Sequence, residues 1–370
     1  MPMSTDAAIQ LIASVVAVAC GLPGVFLVLR RMAMMSDAIS HVVLLGIVLA
    51  FFVVRDLSSP LLLVGAAATG LLTVSLVELV QRTRLVKEDA AIGLVFPVLF
   101  SLAVVLISYF AGNVHLDTDA VLLGELAFAP FDRLVVMGYD VAPKSLVVMS
   151  AILLLNALFI TVFYKELKLA TFDAGLAAAL GFAPGLIHYA LMALVSVTAV
   201  GAFDAVGSVL VVALMVGPPA TAYLLTDRLG LMLMLSALLG VTAAIGGYRL
   251  AVALDANIAG SMASVVGLLF GLALLFAPRQ GLVAQTLRRA RQRRRFAQIM
   301  LAIHLLHHEG RPEAAEESRI EHLHRELRWE PGFATEVVRG AEREGLVLRR
   351  DGWLALTERG RELARQAMMQ

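Results

Sequence analysis

Asp37 and His41 lie four residues apart in the segment MMSDAISHVVLLG, where a long apolar run begins. In a helix, side chains at this spacing share one face, with their Cβ atoms about 5–6 Å apart. A carboxylate and an imidazole so placed can bind one divalent ion, Mn²⁺, Fe²⁺ or Zn²⁺, if other groups complete its coordination shell. The alternative is structural, with Asp37 capping the start of the helix and His41 hydrogen-bonded near an interface. Two residues alone leave both interpretations open.

Other polar groups interrupt the apolar part of the chain with less regular spacing. Asp204 lies between two apolar segments, where it can line a pathway or, as we favour, cap the following helix. The segment HLDTDAVLLGELAF brings together His115, Asp117, Asp119 and Glu125, a composition that can attract a metal or dock a partner. Because these residues lack regular ligand spacing, a solvated loop is an equal alternative.

The segment KELKLATFDAGLAAALGFAPG, residues 165–185, predicts a short helix between two apolar runs. Thr171 is the expected N-cap, Asp173 suits the first turn, and Gly181 can take the left-handed conformation that ends a helix. Such a helix can fit a groove on a partner and transmit movement, while a plain amphipathic connector is the alternative. The sequence has no GxxxxGK[ST] phosphate-binding loop, so any nucleotide that drives this protein binds to another subunit.

The elements that position these residues belong to a strongly apolar chain. Of 370 residues, 59% are hydrophobic and 16% are charged, and the sole cysteine, Cys20, lies in an apolar run. This composition excludes an ordinary cytosolic enzyme, a disordered chain and a disulfide-stabilised secreted domain. About 20 apolar residues are needed to cross a bilayer as a helix. We predict nine such spans, at residues 7–29, 38–54, 60–80, 90–110, 145–164, 185–201, 205–225, 231–248 and 258–278.

The second and sixth runs are the shortest, so eight full spans with one partial span is the alternative. Cytoplasmic connections retain Lys and Arg, which predicts that the C-terminal part lies inside and, with nine spans, that the N-terminus lies outside. The predicted fold is an all-α polytopic membrane protein with eight or nine transmembrane helices, formed by residues 1–278, and a small α+β winged-helix-like cytoplasmic domain.

The part of the chain after residue 278 carries 18 arginines and 13 acidic residues. Residues 279–295, which include RRARQRRR, predict a basic juxtamembrane linker that binds anionic membrane lipid, with nucleic acid as the alternative. Residues 296–370 predict helices, then two short strands around an Asp-Gly turn, then a helix capped by Thr357, which is the order of a winged helix. Such a domain can bind DNA, but its many acids favour a regulatory or assembly module.

Five segments in order resemble the permease subunit of bacterial ABC importers for manganese, zinc or iron. They are LRRMAMMSDAISHVVLLGIVLA, VKEDAAIGLVF, HLDTDAVLLGELAF, LKLATFDAGLAAALGF and FDAVGSVLVVALMVGPPATAYLLTDRL. The resemblance covers nearly all of residues 7–278 and implies a dimeric pore in the bacterial plasma membrane, built with a second copy or a similar permease. It also implies a separate ABC ATPase and an extracytoplasmic metal-binding protein. One departure is Leu45, where the family often has proline.

The resemblance further implies that Asp37 and His41 contact the ion in transit, and that one segment is the coupling helix seated on the ATPase. The residues of this segment are Thr171, Phe172, Asp173, Ala174, Gly175, Leu176, Ala177, Ala178, Ala179, Leu180 and Gly181. The expected function is import of Mn²⁺, Zn²⁺ or Fe²⁺ without a permanently bound cofactor and without enzymatic activity of its own. Two alternatives are an ATP-independent secondary transporter or channel and a membrane-tethered metal-responsive transcriptional regulator.

Overall fold

The computed structural model describes residues 4–55, 59, 61–110, 126–136, 139–311, 318–319, 323, 327–350 and 352–369. The chain divides into two compact units, Met1–Gly281 and Leu282–Gln370. The described part of the first unit is almost entirely helical, as predicted from its apolar runs. Its helices and strands are α1 (Thr5–Leu29), α2 (Ala33–Val54), α3 (Leu61–Arg82), α4 (Glu88–Phe110), β1 (Arg133–Val136), β2 (Tyr139–Pro143), α5 (Lys144–Val162), α6 (Tyr164–Phe172), α7 (Ala174–Ala179), α8 (Pro184–Leu225), α9 (Leu229–Leu254) and α10 (Ile258–Phe276).

Within the described residues, eight helices of the first unit are long and apolar enough to cross a membrane: α1 to α5 and α8 to α10. A helix is the form that such a segment takes because it satisfies its backbone donors and acceptors internally where no water can do so. Side chains cap some of the ends. Ser4 accepts a hydrogen bond from the amide of Ala7 at the start of α1, and Asn257 accepts one from the amide of Gly260 at the start of α10.

The longest helix, α8, contains a break that explains the count of eight rather than nine. Gly207 has φ 77° and ψ 165°, a backbone conformation outside the helical region. An unbroken helix of 42 residues would be about 63 Å long, twice the thickness of a bilayer core. The Arg30 guanidinium contacts His188 near the start of α8, and a side chain at Gly24 would overlap the backbone of Met215. Residues on both sides of Gly207 therefore lie near the last part of α1, so the chain reverses at Gly207, at the start of the seventh predicted span.

Small and polar residues mark the close contacts between these helices. A Cβ atom on Gly46 of α2 would lie 2.5 Å from the carbonyl oxygen of Gly65 on α3, so only glycine allows this approach. The amide of buried Asn156 donates hydrogen bonds to the carbonyl of Ala19 (2.8 Å) and to the hydroxyl of Thr198 (3.0 Å). Glycine therefore allows α2 and α3 to pack closely, and Asn156 of α5 bonds to residues of α1 and α8.

The second unit contains α11 (Leu282–His308), α12 (Pro331–Arg343), β3 (Val347–Arg350), β4 (Trp353–Leu356) and α13 (Glu358–Met368). Residues 282–295, which we predicted to form part of a linker, are the first half of α11. The two strands form an antiparallel hairpin in which Val347 pairs with Leu356, and Gly352 at its turn has φ 88°. Thr357 caps α13 by accepting a hydrogen bond from the amide of Gly360, as predicted.

An apolar core joins these elements of the second unit. Leu301 and Leu305 of α11, Val337 of α12 and Leu354 of β4 are all buried in it. The segment EESRIEHLHRELRW, which belongs to the predicted helical part of residues 296–370, lies mostly outside the described residues. The winged-helix assignment therefore stays a prediction.

Candidate functional site

Asp37 and His41 share one face of α2, as their spacing predicted. His41 Nε2 lies 3.4 Å from Asp37 Oδ1, and about a third of each side chain is exposed (33% for His41 and 35% for Asp37). Because α2 begins at Ala33, Asp37 lies in its second turn, and the alternative in which Asp37 caps the helix is wrong. The two groups thus form an accessible polar pair within a helix that is long enough to cross a membrane.

Aromatic rings from α4 border this pair. The His41 ring lies 5.9 Å from the ring of Phe96, nearly stacked on it, and 6.1 Å from that of Phe100, at a steep angle. Among the described residues, no group of three or more His, Cys, Asp or Glu side chains comes together. Asp37 and His41 can therefore supply two ligands to an ion, and other groups or water must supply the rest.

The structure does not place the other predicted polar residues that it describes beside Asp37 and His41. Asp204 lies inside α8, three residues before the break at Gly207, so it does not occupy the cap position that we favoured. Its carboxylate instead lies 3.8 Å from the ammonium of Lys144 at the start of α5. His115, Asp117, Asp119 and Glu125 lie outside the residues that the structure describes.

The segment of residues 164–181 folds as two short helices, α6 and α7, rather than one. Asp173 is the N-cap of α7, where its carboxylate accepts a hydrogen bond from the amide of Leu176 at 2.8 Å. The prediction that Thr171 is the cap is therefore wrong, because α6 continues through it. Gly181 has φ 86° and ends the segment in the left-handed conformation, as predicted.

Large apolar side chains on this segment are exposed. Phe172 is 62% exposed, Leu176 47% and Leu180 61%, whereas Ala177 is buried against the bundle. Exposed apolar groups grouped on one short segment are typical of a surface that a partner covers.

The sequence analysis missed a polar cluster at the ends of α1, α3 and α6 and the start of α8. Arg30, which follows α1, donates from Nε to the hydroxyl of Thr171 and places Nη1 beside His188 Nδ1, both at 3.1 Å. On the other side of the ring, His188 Nε2 lies 2.7 Å from Glu78 Oε1. Tyr189 donates from its hydroxyl to Glu78 Oε2 at 2.5 Å. Glu78 is thus only 20% exposed and has several partners.

Arg30 constrains the hydrogen bonding of the His188 ring. A guanidinium has donors only, so His188 Nδ1 accepts from Arg30. On the other side of the ring, His188 Nε2 contacts the Glu78 carboxylate without forming an aligned hydrogen bond. Burial lowers the pKa of Arg30, but a guanidinium stays protonated in proteins. Arg82 adds a second positive charge 3.7 Å from the Glu78 carboxylate.

No spacing in the sequence could indicate this cluster. Arg30 and His188 are 158 residues apart, and Glu78 and Tyr189 are 111 residues apart. The one available signal was a carboxylate near the end of an apolar run, which in the absence of partners is equally typical of an exposed side chain.

Comparison with known proteins assigns this helical bundle to a protein family. Residues 5–277 match the ABC 3 transport family. The chain belongs to this family. It is 51% identical over 356 residues to the zinc transport system membrane protein TroD of Treponema pallidum (strain Nichols), a match that covers 96% of this chain and 97% of TroD.

Two further similar proteins match about three quarters of this chain. The manganese transport system membrane protein MntD of Bacillus subtilis (strain 168) is 49% identical, and the match covers 77% of this chain but 97% of MntD. The solved structure of PsaBC from Streptococcus pneumoniae in complex with Fab has a similar chain, with a TM-score of 0.62 and 29% identity over 74% of this chain and 92% of that one. This ABC 3 chain therefore shares most of its length with MntD, while TroD matches it almost throughout.

Proposed function

We propose that this ABC 3 family chain is the membrane permease of an importer for a divalent transition metal, Mn²⁺, Zn²⁺ or Fe²⁺. The observation that carries the proposal is the accessible Asp37 and His41 pair on a helix of a bundle whose relatives are named as zinc and manganese transport proteins. One carboxylate and one imidazole suit all three ions, so these two side chains do not select among them.

Asp37 and His41 act as a transient binding site. The ion exchanges part of its water shell for a carboxylate oxygen and an imidazole nitrogen, and no covalent chemistry is required. Transport requires that binding be favourable enough for the ion to enter and weak enough for it to leave. A site with two protein ligands and partial exposure meets both conditions. Secondary candidates for the ion's route, or for docking of the metal-binding protein, are Asp204, His115, Asp117, Asp119 and Glu125.

The energy for transport comes from a separate ABC ATPase. Residues 171–181 are the coupling segment, and the exposed side chains of Phe172, Leu176 and Leu180 are the part that the ATPase covers. A second permease chain completes the pore, and an extracytoplasmic metal-binding protein delivers the ion. With the coupling segment inside, the C-terminal unit is a cytoplasmic domain of winged-helix type with a regulatory or assembly role.

The test is uptake of radioactive Mn²⁺, Zn²⁺ and Fe²⁺ into proteoliposomes that hold the permease with its ATPase and metal-binding protein. We expect ATP-dependent uptake of at least one ion by the wild type and its loss in the variant Asp37→Ala/His41→Ala. The matched control is Ser264→Ala on α10, an exposed residue that bonds to its own helix. Unchanged uptake by an assembled double variant would refute the assignment of the pair.

The same reconstitution separates the two rival functions. A secondary transporter or channel would move the ion in vesicles that contain the permease alone, without ATP. A transcriptional regulator would show no uptake and would require a specific DNA site whose affinity falls steeply with salt. The comparisons favour the importer because the relatives are named as transport system membrane proteins.

A further inference from the structure

We propose that Arg30, His188 and Glu78 are positioning residues that connect the coupling segment to α2, the helix that carries Asp37 and His41. This inference rests on the proposed function, because it assumes that the segment of residues 171–181 moves with an ATPase. It assigns a role to the polar cluster described above, which ion binding itself does not use.

The connection begins at Thr171, in the last turn of α6. Its hydroxyl accepts a hydrogen bond from Arg30 Nε, while Nη1 of the same guanidinium contacts His188. One planar group thus holds the coupling segment and the start of α8 at the same time. A guanidinium suits this task because its donors have fixed directions, which a lysine ammonium lacks.

From Arg30 the connection reaches α2 by two routes. Along the chain, only Arg31 and Met32 separate Arg30 from Ala33, the first residue of α2. The Met32 amide bonds to the carbonyl of Leu27, which holds this turn close to α1. A displacement of Arg30 therefore shifts the start of α2, one turn before Asp37.

The second route passes through α3. His188 Nε2 contacts Glu78 of α3 at 2.7 Å, and α3 packs so tightly on α2 that Gly46 and Gly65 leave no room for a side chain. Packed helices of this kind transmit displacement because their interfaces do not deform continuously. Movement of the coupling segment therefore acts on α2 both along the chain and through its neighbour.

A second metal site is the competing interpretation of a carboxylate beside an imidazole. Two arginines oppose it. Arg30 occupies the Nδ1 side of His188, and Arg82 lies 3.7 Å from the Glu78 carboxylate, so the negative charge is already balanced. Within the described part of the chain, the cluster also falls short of three metal-ligating side chains. The two guanidinium groups supply the positive charge beside Glu78, and the cluster joins the ends of α1, α3 and α6 to the start of α8.

The experiment measures metal taken up per ATP hydrolysed by the reconstituted complex. Thr171→Val removes the hydroxyl acceptor with almost no change of volume. Arg30→Lys keeps the positive charge but loses the planar set of donors that contacts Thr171 and His188 together. The control is Thr161→Val, since the hydroxyl of Thr161 bonds to carbonyls of its own helix, α5. We expect ATP hydrolysis to continue while uptake per ATP falls by at least about tenfold in both variants, as for loss of a hydrogen bond to a charged group. The control should match the wild type.

A double-mutant comparison tests whether these residues act in one connection. If they do, Thr171→Val combined with Glu78→Gln should lower uptake per ATP little further than either change alone. Uptake per ATP within about twofold of wild type in both Thr171→Val and Arg30→Lys would overturn the inference and leave the proposed function intact. Absence of ATP-dependent uptake by the wild-type complex would overturn the proposed function, and this inference with it.

Discussion

Arg30 and Thr171 are 141 residues apart in the chain, yet Arg30 Nε lies 3.1 Å from the Thr171 hydroxyl oxygen. This contact ties the turn before α2 to the segment that we assign to ATPase coupling. Thr171 lies within α6 and so does not cap α7, and its hydroxyl is the acceptor for Arg30, while Asp173 takes the cap position. Asp37, His41 and the coupling segment thus belong to connected elements of one helical bundle.

The first prediction concerns Asp37 and His41 as separate ligands. Asp37→Asn and His41→Gln should each lower the initial rate of metal uptake by at least about tenfold, since loss of even an outer partner of a metal site costs 10–100-fold. If both contact the same ion, the double variant should be little worse than either single one. Initial rates at several ion concentrations measure this. If the reduction in rate of the double variant equals the product of the two single reductions, Asp37 and His41 have independent roles.

The second prediction concerns the contact between α2 and α3. Gly46→Ala places a methyl group against the backbone of Gly65 and should destabilise the bundle by about 1–3 kcal/mol, a typical cost of overpacking. Gly93→Ala on α4 is the matched control, because no atom lies within 4 Å of the added methyl group. Thermal unfolding of both purified variants in detergent measures the difference. Equal melting temperatures would contradict the close approach.

The third prediction concerns the reversal in α8. Gly207 has φ 77° and ψ 165°, a region that is open essentially to glycine alone. Gly207→Ala should therefore cost about 1–3 kcal/mol through backbone strain. The control is Gly267→Ala, within α10, where the added methyl group meets nothing within 4 Å. A Gly207→Ala variant as stable as the wild type in the same unfolding assay would show that the chain does not need this conformation.

These residues also indicate how far the sequence alone could lead. Apolar runs located the helices, and the gap between residues 201 and 205 came close to the break at Gly207, because local composition determines both. Local spacing placed Asp37 and His41 on one face for the same reason. The helix start at Ala33 was missed because MMSD is polar enough to end an apolar run and yet can be helical. The cluster at Arg30 was missed because its members meet only through the packing of distant helices.

The fourth prediction concerns pH and the second unit. Arg361 of α13 donates three hydrogen bonds to Glu309, just after α11, and these hold the pKa of that carboxyl below its usual value of 4.5. A folded-state pKa below the unfolded one means that the stabilisation is complete above about pH 4.5 and is lost as pH falls through the lowered folded value. Both side chains are partly exposed, so the effect should be modest and weaker in salt.

Hydrogen exchange of the full chain measures this effect in peptides from the end of α11 and from α13. At pH 6, Glu309→Gln should exchange faster than wild type in these peptides. The difference should shrink below pH 4.5, where the wild-type carboxylate begins to lose its charge. Comparison of the two proteins at each pH removes the intrinsic pH dependence of exchange. A difference that persists unchanged at pH 3 would exclude the ion pair as its source.

The fifth prediction concerns removal of the second unit. The match to MntD covers 97% of that protein but 77% of this chain, and the family match ends at residue 277, so transport should not require residues 282–370. A chain that ends at Gly281 should keep ATP-dependent uptake within about threefold of wild type. The deleted second unit is compact and has its own core, so the first unit should fold without it. Uptake assays with matched amounts of reconstituted complex measure this. Retained uptake with altered dependence on metal supply would support a regulatory role for the second unit. Failure to assemble with the ATPase would instead assign the second unit to assembly.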